Sequence, residues 1–147
     1  MTLKERLADD LKSAMKDKDI IRKNVVQLVR AGVLQVEKDN KVTLDDNGVL
    51  EVIAKQLKQR KDSLPDYEKS GRDDLIAGLK AEMDVLMEYL PKQLSHDELE
   101  SIIKDVIAKL GASSMKDMGK VMAEVKAQTV GRADGRMINE IAKSLLS

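Results

Sequence analysis

Apolar residues recur along nearly the whole chain at intervals of three and four residues. This spacing places them on one face of an α-helix. Leu3, Leu7 and Leu11 follow it near the N-terminus, and Ile138 and Ile141 follow it near the C-terminus. The pattern predicts an all-α protein.

The first half of the chain is predicted to form about four helices. Thr2 and Asp19 carry side chains that cap helix N-termini, so we expect the first two helices to begin there. A turn at 45–48 precedes the third helix, which Pro65 should bend or break because proline removes a backbone donor. Gly71 ends it, and a fourth helix follows. The second helix should be the most buried of the four because its apolar stripe is broad: Ile21, Val25, Leu28, Val29, Gly32 and Val36.

A boundary between two helical units is predicted near Pro91. Proline disfavours helix at the residue before it, and Ser95 with Glu98 forms the pattern of a capping box that starts a new helix. The sequence therefore predicts an N-terminal unit over residues 1–92 and a C-terminal unit over residues 95–147.

The C-terminal unit is predicted to contain three helices. The first ends at Gly111, Ser114 caps the second, and Asp134 caps the third. We expect Gly131 to adopt a left-handed conformation that ends the second helix, and Gly119 to allow a close helix contact. The apolar row of the second helix consists of Met115, Met118, Met122 and Val125.

The composition supports helices and excludes several classes of protein. Phe, Trp and Cys are absent and there are two Tyr, so the core must consist of Leu, Ile, Val, Met and Ala. The 26 Lys and Arg balance 26 Asp and Glu, which excludes a general basic field for nucleic acid. No apolar signal region and no uncharged run of membrane-spanning length is present, so we expect a cytoplasmic protein.

The residues that enzymes commonly use are scarce. One histidine and no cysteine exclude a structural zinc site and a Cys–His nucleophile. We expect His96 to be exposed beside the Ser95 cap. Gly119-Lys120 suggests the end of a phosphate-binding loop, but Val121 stands where that loop needs Ser or Thr. We therefore expect no catalytic residue, no metal and no cofactor.

Four basic residues in the C-terminal unit are the candidate binding residues. Lys116 and Lys120 are four apart, so they should share one side of the second helix. Arg132 and Arg136 flank the start of the last helix, where free backbone amides and guanidinium groups together can hold a phosphate. A purely structural interpretation, in which Gly131 and the nearby polar residues only cap helices, remains open from the residues alone.

Three motifs in order along the chain resemble the GatB/YqeY family, and in particular its free-standing bacterial YqeY-like members. They are Tyr89-Leu90-Pro91-Lys92-Gln93-Leu94-Ser95, Met118-Gly119-Lys120-Val121-Met122, and Gly131-Arg132-Ala133-Asp134-Gly135 with Asn139. The resemblance extends over essentially the whole chain. It implies that the C-terminal unit is similar to the tail domain of the aspartyl/glutamyl-tRNA amidotransferase B subunit, which helps to hold the transfer RNA while the chemistry lies in other domains.

The resemblance implies a non-catalytic accessory protein that binds transfer RNA. Its contacts would be Lys116, Lys120, Arg132 and Arg136, on a structural motif made of Gly119, Gly131, Asp134 and Gly135. One alternative is a protein-interaction module that docks on an amidotransferase or an aminoacyl-tRNA synthetase through an apolar helix face. Another is carbon–nitrogen ligase activity with glutamine as amido-N-donor, a label inherited from the larger enzyme that we do not expect this chain to support alone.

Overall fold

The computed structural model describes residues 1–147 and contains only helices, which confirms the all-α prediction. One short 3₁₀ turn, Met115–Asp117, accompanies seven α-helices. The helices are α1 (Leu3–Lys16), α2 (Ile20–Asn40), α3 (Asp46–Ser70), α4 (Asp73–Met87), α5 (His96–Leu110), α6 (Met118–Gln128) and α7 (Gly135–Leu146).

The chain divides into two compact units. The first unit, Met1–Pro91, contains α1 to α4, and the second unit, Lys92–Ser147, contains α5 to α7. Each unit has its own hydrophobic core.

Local capping chemistry sets most helix ends. The Thr2 hydroxyl accepts a hydrogen bond from the backbone amide of Glu5, and the Asp19 carboxylate accepts one from Arg22. Gly71 and Gly111 end α3 and α5 at φ values of 69° and 64°, in the left-handed region that glycine adopts without steric cost. These starts and ends confirm the predictions made from the capping residues.

Pro65 does not break α3, which continues to Ser70. Within a helix, proline removes the hydrogen bond to the carbonyl four residues earlier, here that of Lys61. Both residues are exposed, so water can bind the freed carbonyl. The predicted break is therefore absent because the lost bond lies on the solvent side of the helix.

The buried face of α2 differs from the predicted stripe. Val25 and Val29 are buried as expected, but Ile21 and Leu28 remain 42% and 51% exposed. The helix instead completes its buried face with Val26 and Val33. The expected dominance of α2 is not found either, because α3 also buries four residues: Val49, Val52, Ile53 and Leu57.

A polar cluster joins α1 and α2 to the end of α4 in the first unit. The Tyr89 side chain is 4% exposed, and its hydroxyl donates a hydrogen bond to Asp10 at 2.5 Å. The guanidinium of Arg6 lies 4.6 Å from the centre of the Tyr89 ring. Arg22 donates two hydrogen bonds to the Glu88 carboxylate, at 2.6 and 3.0 Å. This cluster fixes the last residues of the first unit.

The predicted second helix of the C-terminal unit is divided. Ser114 caps a 3₁₀ turn, and α6 begins only at Met118. The Asp117 carboxylate accepts a hydrogen bond from the backbone amide of Ser113; such local side-chain bonds compete with a regular helix start. Val125 of the predicted apolar row is buried as expected, together with Val121 from outside the row. The methionines of the row are less buried: Met118 and Met122 are partly buried and Met115 is 43% exposed.

The capping box at α5 gives a direct test of what stabilises the second unit. The Ser95 hydroxyl accepts from the Glu98 amide while the Glu98 carboxylate accepts from the Ser95 amide. We expect Ser95→Ala to lower the free energy of unfolding of this unit by about 1 kcal/mol. Hydrogen exchange of the buried Leu99 and Ile103 amides measures the change. Ser101→Ala, an exposed change within the same helix, should leave the hydrogen-exchange rates of these amides unchanged or slower. Equal effects of the two substitutions would contradict a stabilising role of the capping box.

The ion pair between Arg22 and Glu88 predicts a loss of stability in acid. The hydrogen bonds from Arg22 lower the pKa of Glu88 below its ordinary value of 4.5, although burial opposes the shift. The pair therefore stabilises the fold above pH 4.5 and loses this effect as the pH falls through the lowered pKa. Glu88→Gln should be less stable than the wild type at pH 7, and the difference should shrink in acid.

Urea unfolding followed by circular dichroism at several pH values checks this prediction. Glu68→Gln is the matched control, because Glu68 is an exposed carboxylate whose side chain forms no ion pair. A difference between wild type and Glu88→Gln that stays constant from neutral pH into acid would rule out the ion pair as its source.

Candidate nucleic-acid interface

Backbone hydrogen bonds hold the loop between α6 and α7 in a fixed conformation. The Arg132 amide donates to the Thr129 carbonyl at 2.8 Å, and the Arg132 carbonyl accepts from Leu94 at 2.9 Å. The Gln93 side chain donates to the Gly131 carbonyl at 2.7 Å. Gly131 has a φ of 71°, which confirms its predicted left-handed conformation. It does not end the helix as predicted, because α6 already ends at Gln128 with Thr129 as its cap. The loop therefore presents Arg132 from a backbone with satisfied hydrogen bonds.

The two arginines of the candidate site carry no ion pair. Arg132 is half-buried and Arg136 is exposed in the first turn of α7. Asp134 caps α7 as predicted, and its carboxylate accepts from the Arg136 amide at 2.9 Å. This bond already occupies one amide of the helix N-terminus, so an anion there would be held mainly by the guanidinium groups.

The nearest carboxylate on the α5 side is also bound to protein. The pKa of Glu98 is lowered first by its hydrogen bonds with the side chain and backbone of Ser95, and further by the positive charges of Lys92 and Arg132. Glu98 thus stays ionised as a cap of α5. Its hydrogen bonds leave the two cations without a direct ion pair.

The two lysines lie at the other end of α6 from the arginines. Both are exposed and neither forms an ion pair, but Lys116 belongs to the 3₁₀ turn and only Lys120 lies in α6. The expectation that they share one helix face is therefore wrong. From Lys120 to the end of α6 at Gln128 the axis rises by about 12 Å. The four cations thus form two pairs rather than a single cluster.

The glycines of the predicted structural motif have different surroundings. An added Cβ on Gly119 would meet no atom within 4 Å, so the close helix contact expected there is absent. An added Cβ on Gly135 would lie 3.8 Å from Cε of Lys126. The Lys126 side chain therefore passes over the start of α7.

Sequence reasoning missed two cations at this surface, Lys126 and Lys92. Lys126 is exposed, forms no ion pair and approaches the N-terminus of α7 next to Arg136. Lys92 is exposed and acts electrostatically on Glu98 together with Arg132. Both are distant in sequence from the residues they accompany, so only the meeting of α6, α7 and the segment before α5 reveals them.

One group of potential metal donors lies at the start of α5. The ring Nδ1 of His96 is 3.8 Å from a carboxylate oxygen of Asp97 and 3.8 Å from one of Glu100. The donor atoms of these three residues lie within 4.8 Å of one another. His96 is exposed, as expected from its position beside the cap. A separate finding is that no helix of the chain is both long and apolar enough to cross a bilayer.

Comparison with known proteins gives a family match over nearly the whole chain. The family described as Yqey-like protein matches residues 4–146. Relatives include three fungal proteins, each named Altered inheritance of mitochondria protein 41, mitochondrial. The one from Pyrenophora tritici-repentis is 28% identical over 130 residues, covering 87% of this chain and 71% of the relative.

The other two relatives are from yeasts. The protein from Vanderwaltozyma polyspora is 31% identical over 120 residues, covering 76% of this chain and 64% of the relative. The protein from Saccharomyces cerevisiae strain YJM789 is 27% identical over 137 residues, covering 90% and 70%. The motifs at 89–95, 118–122 and 131–135 thus predicted the family correctly. The chain belongs to the YqeY-like protein family.

Proposed function

We propose that this protein is a non-catalytic accessory protein that binds transfer RNA through its second unit. The observation that carries the proposal is a set of cations without ion pairs around α6 and the start of α7: Lys116, Lys120, Lys126, Arg132 and Arg136. Unpaired Lys and Arg side chains remain available to phosphates.

The local acids strengthen the electrostatic argument. Asp134 and Glu98 are hydrogen-bonded as helix caps, and Asp117 accepts from the Ser113 amide. These three carboxylates are thus bonded partly to the backbone. The Lys and Arg side chains named above have no carboxylate partner. A surface of this kind attracts a polyanion even though the whole chain has zero formal net charge.

The recognition would rest on the RNA backbone and shape. Base stacking needs exposed aromatic rings, but the chain has no Phe or Trp, Tyr89 is buried, and the exposed Tyr67 lies in the first unit. Phosphate contacts at the two ends of α6 suit a folded RNA that presents more than one stretch of its backbone to the protein. Such binding should be strongly salt-dependent.

A second candidate function is docking on an amidotransferase or an aminoacyl-tRNA synthetase. The exposed apolar residues of α2 favour it: Ile20 is 68% exposed, Leu34 is 66% exposed, and Ile21 and Leu28 are also exposed. Several exposed large apolar residues on one helix are typical of interaction sites. Carbon–nitrogen ligase activity is not part of either proposal, and ammonia release from glutamine measures it directly.

We also propose that the protein acts in the cytoplasm. The fungal relatives carry the word mitochondrial in their names. A fluorescent fusion expressed in the source cells, imaged beside an organelle marker where organelles exist, distinguishes the two locations.

The test of RNA binding replaces all four predicted cations, Lys116, Lys120, Arg132 and Arg136, with alanine. Wild-type protein is titrated against a transfer-RNA transcript by fluorescence anisotropy at several salt concentrations. With four phosphate contacts the log–log salt slope should be about −3 to −4, and the variant should lose most of this slope and bind at least tenfold more weakly.

A matched control removes the same number of charges from the first unit. Lys58, Lys61, Lys69 and Lys80 are all exposed and form no ion pair, so their alanine variant should retain RNA binding near the wild-type level. Absence of wild-type binding at low salt would overturn the proposal, as would equal losses in the two variants.

A further inference from the structure

A groove between α5 and α7 lies apart from the cationic residues of the second unit. Its volume is about 150 Å³. It runs along α7 beyond Arg136, and its lining combines apolar and acidic side chains: His96 and Glu100 from α5, with Met137, Glu140, Ile141, Ser144 and Leu145 from α7.

The floor of the groove is apolar. Met137, Ile141 and Leu145 are spaced four residues apart, so they follow one face of α7. Ile141 is buried in the core, whereas Met137 is 37% exposed at the surface. The groove as a whole, with polar as well as apolar lining, has a volume of about 150 Å³, which is large enough for a benzene-sized group. The groove can therefore accept one aliphatic side chain.

The rim of the groove is negatively charged. Glu140 is exposed and forms no ion pair, and the neighbouring Asp97 side chain is fully exposed close to His96 and Glu100. Glu100 shares its charge with Lys104 at 3.2 Å and faces His96 at 3.8 Å. Three carboxylates thus stand around the apolar floor. Lys104 pairs with Glu100, whereas Arg136 and Lys143, each about one turn from Glu140 on α7, form no ion pair with it.

We propose that this groove binds a basic segment of a partner protein, with an aliphatic side chain on the apolar floor and Lys or Arg side chains at the acidic rim. Charge complementarity selects this occupant, because the rim attracts cations and repels the phosphates of RNA or of an anionic membrane. Met137 supplies an adaptable contact for the inserted side chain, as methionine does at many binding surfaces. The site is independent of the RNA surface proposed above.

The test uses a defined peptide, acetyl-Lys-Lys-Ala-Leu-Lys-Lys-Leu-Ala-Lys-amide, and a matched peptide with glutamate in place of every lysine. Each is titrated into the full-length ¹⁵N-labelled protein, and amide chemical shifts are followed by NMR. The basic peptide should shift amides of residues 96–100 and 137–145, and the acidic peptide should shift none of them.

Two variants separate the acidic and apolar parts of the groove. Glu140→Lys should weaken binding by about tenfold, since it replaces an attraction by a repulsion. Met137→Ser should weaken it by about fivefold without changing its salt dependence, because it removes only apolar contact. Both residues are exposed, so both variants should keep the wild-type circular dichroism spectrum.

Matched controls lie on the same unit outside the groove. Asp105→Lys makes the same charge change on an exposed part of α5, and Met115→Ser removes another exposed methionine; both should bind the basic peptide like the wild type. The proposal is overturned if Asp105→Lys weakens binding as much as Glu140→Lys, or if the shifts map elsewhere. Self-association of the protein that Met137→Ser abolishes would also overturn it, because a second copy would then occupy the groove.

Discussion

The pairing of residues 93–94 with the loop at 131–132 constrains the whole second unit. One backbone hydrogen bond joins Leu94 to Arg132, and one side-chain bond joins Gln93 to Gly131. These bonds satisfy polar backbone groups that the loop would otherwise leave open, and they bring the segment before α5 next to the start of α7. The positions of Arg132, of Lys92 and of the α5 cap all follow from this contact. A unit of three short helices thereby acquires a defined cationic surface.

Most helix ends, although not those of α6, were predictable from the sequence, whereas the faces that the helices bury were not. Capping depends on a side chain and an amide two or three residues apart, so Asp19, Ser95 and Asp134 determine it locally. The buried face depends on neighbouring helices, and two apolar stripes compete on α2. The valines are buried there and Ile21 and Leu28 are exposed, a choice that spacing alone does not reveal. The candidate site follows the same division: its residues came from the sequence, but their arrangement in two pairs came from the structure.

Zero net charge conceals a separation of charges within the second unit. Acids near the start of α7 are engaged as caps, while the cations around them have no carboxylate partner. Farther along α7, Glu140 stands without a cation beside an apolar groove. One short helix therefore bears a surface suited to a polyanion at its beginning and a surface suited to a basic peptide along its length. The two proposals therefore place ligands of opposite charge on one unit without assigning them the same side chains.

The buried tyrosine at the end of the first unit has an optical consequence. Both tyrosines of the chain, Tyr67 and Tyr89, belong to the first unit, and the chain has no Trp or Phe. Near-ultraviolet absorption and tyrosine emission thus arise from the first unit only. Burial and the hydrogen bond to Asp10 raise the pKa of Tyr89, so its phenolate absorbance appears at a higher pH in the folded unit than in the unfolded chain. Tyrosine absorbance and emission therefore report the unfolding of the first unit separately from that of the second.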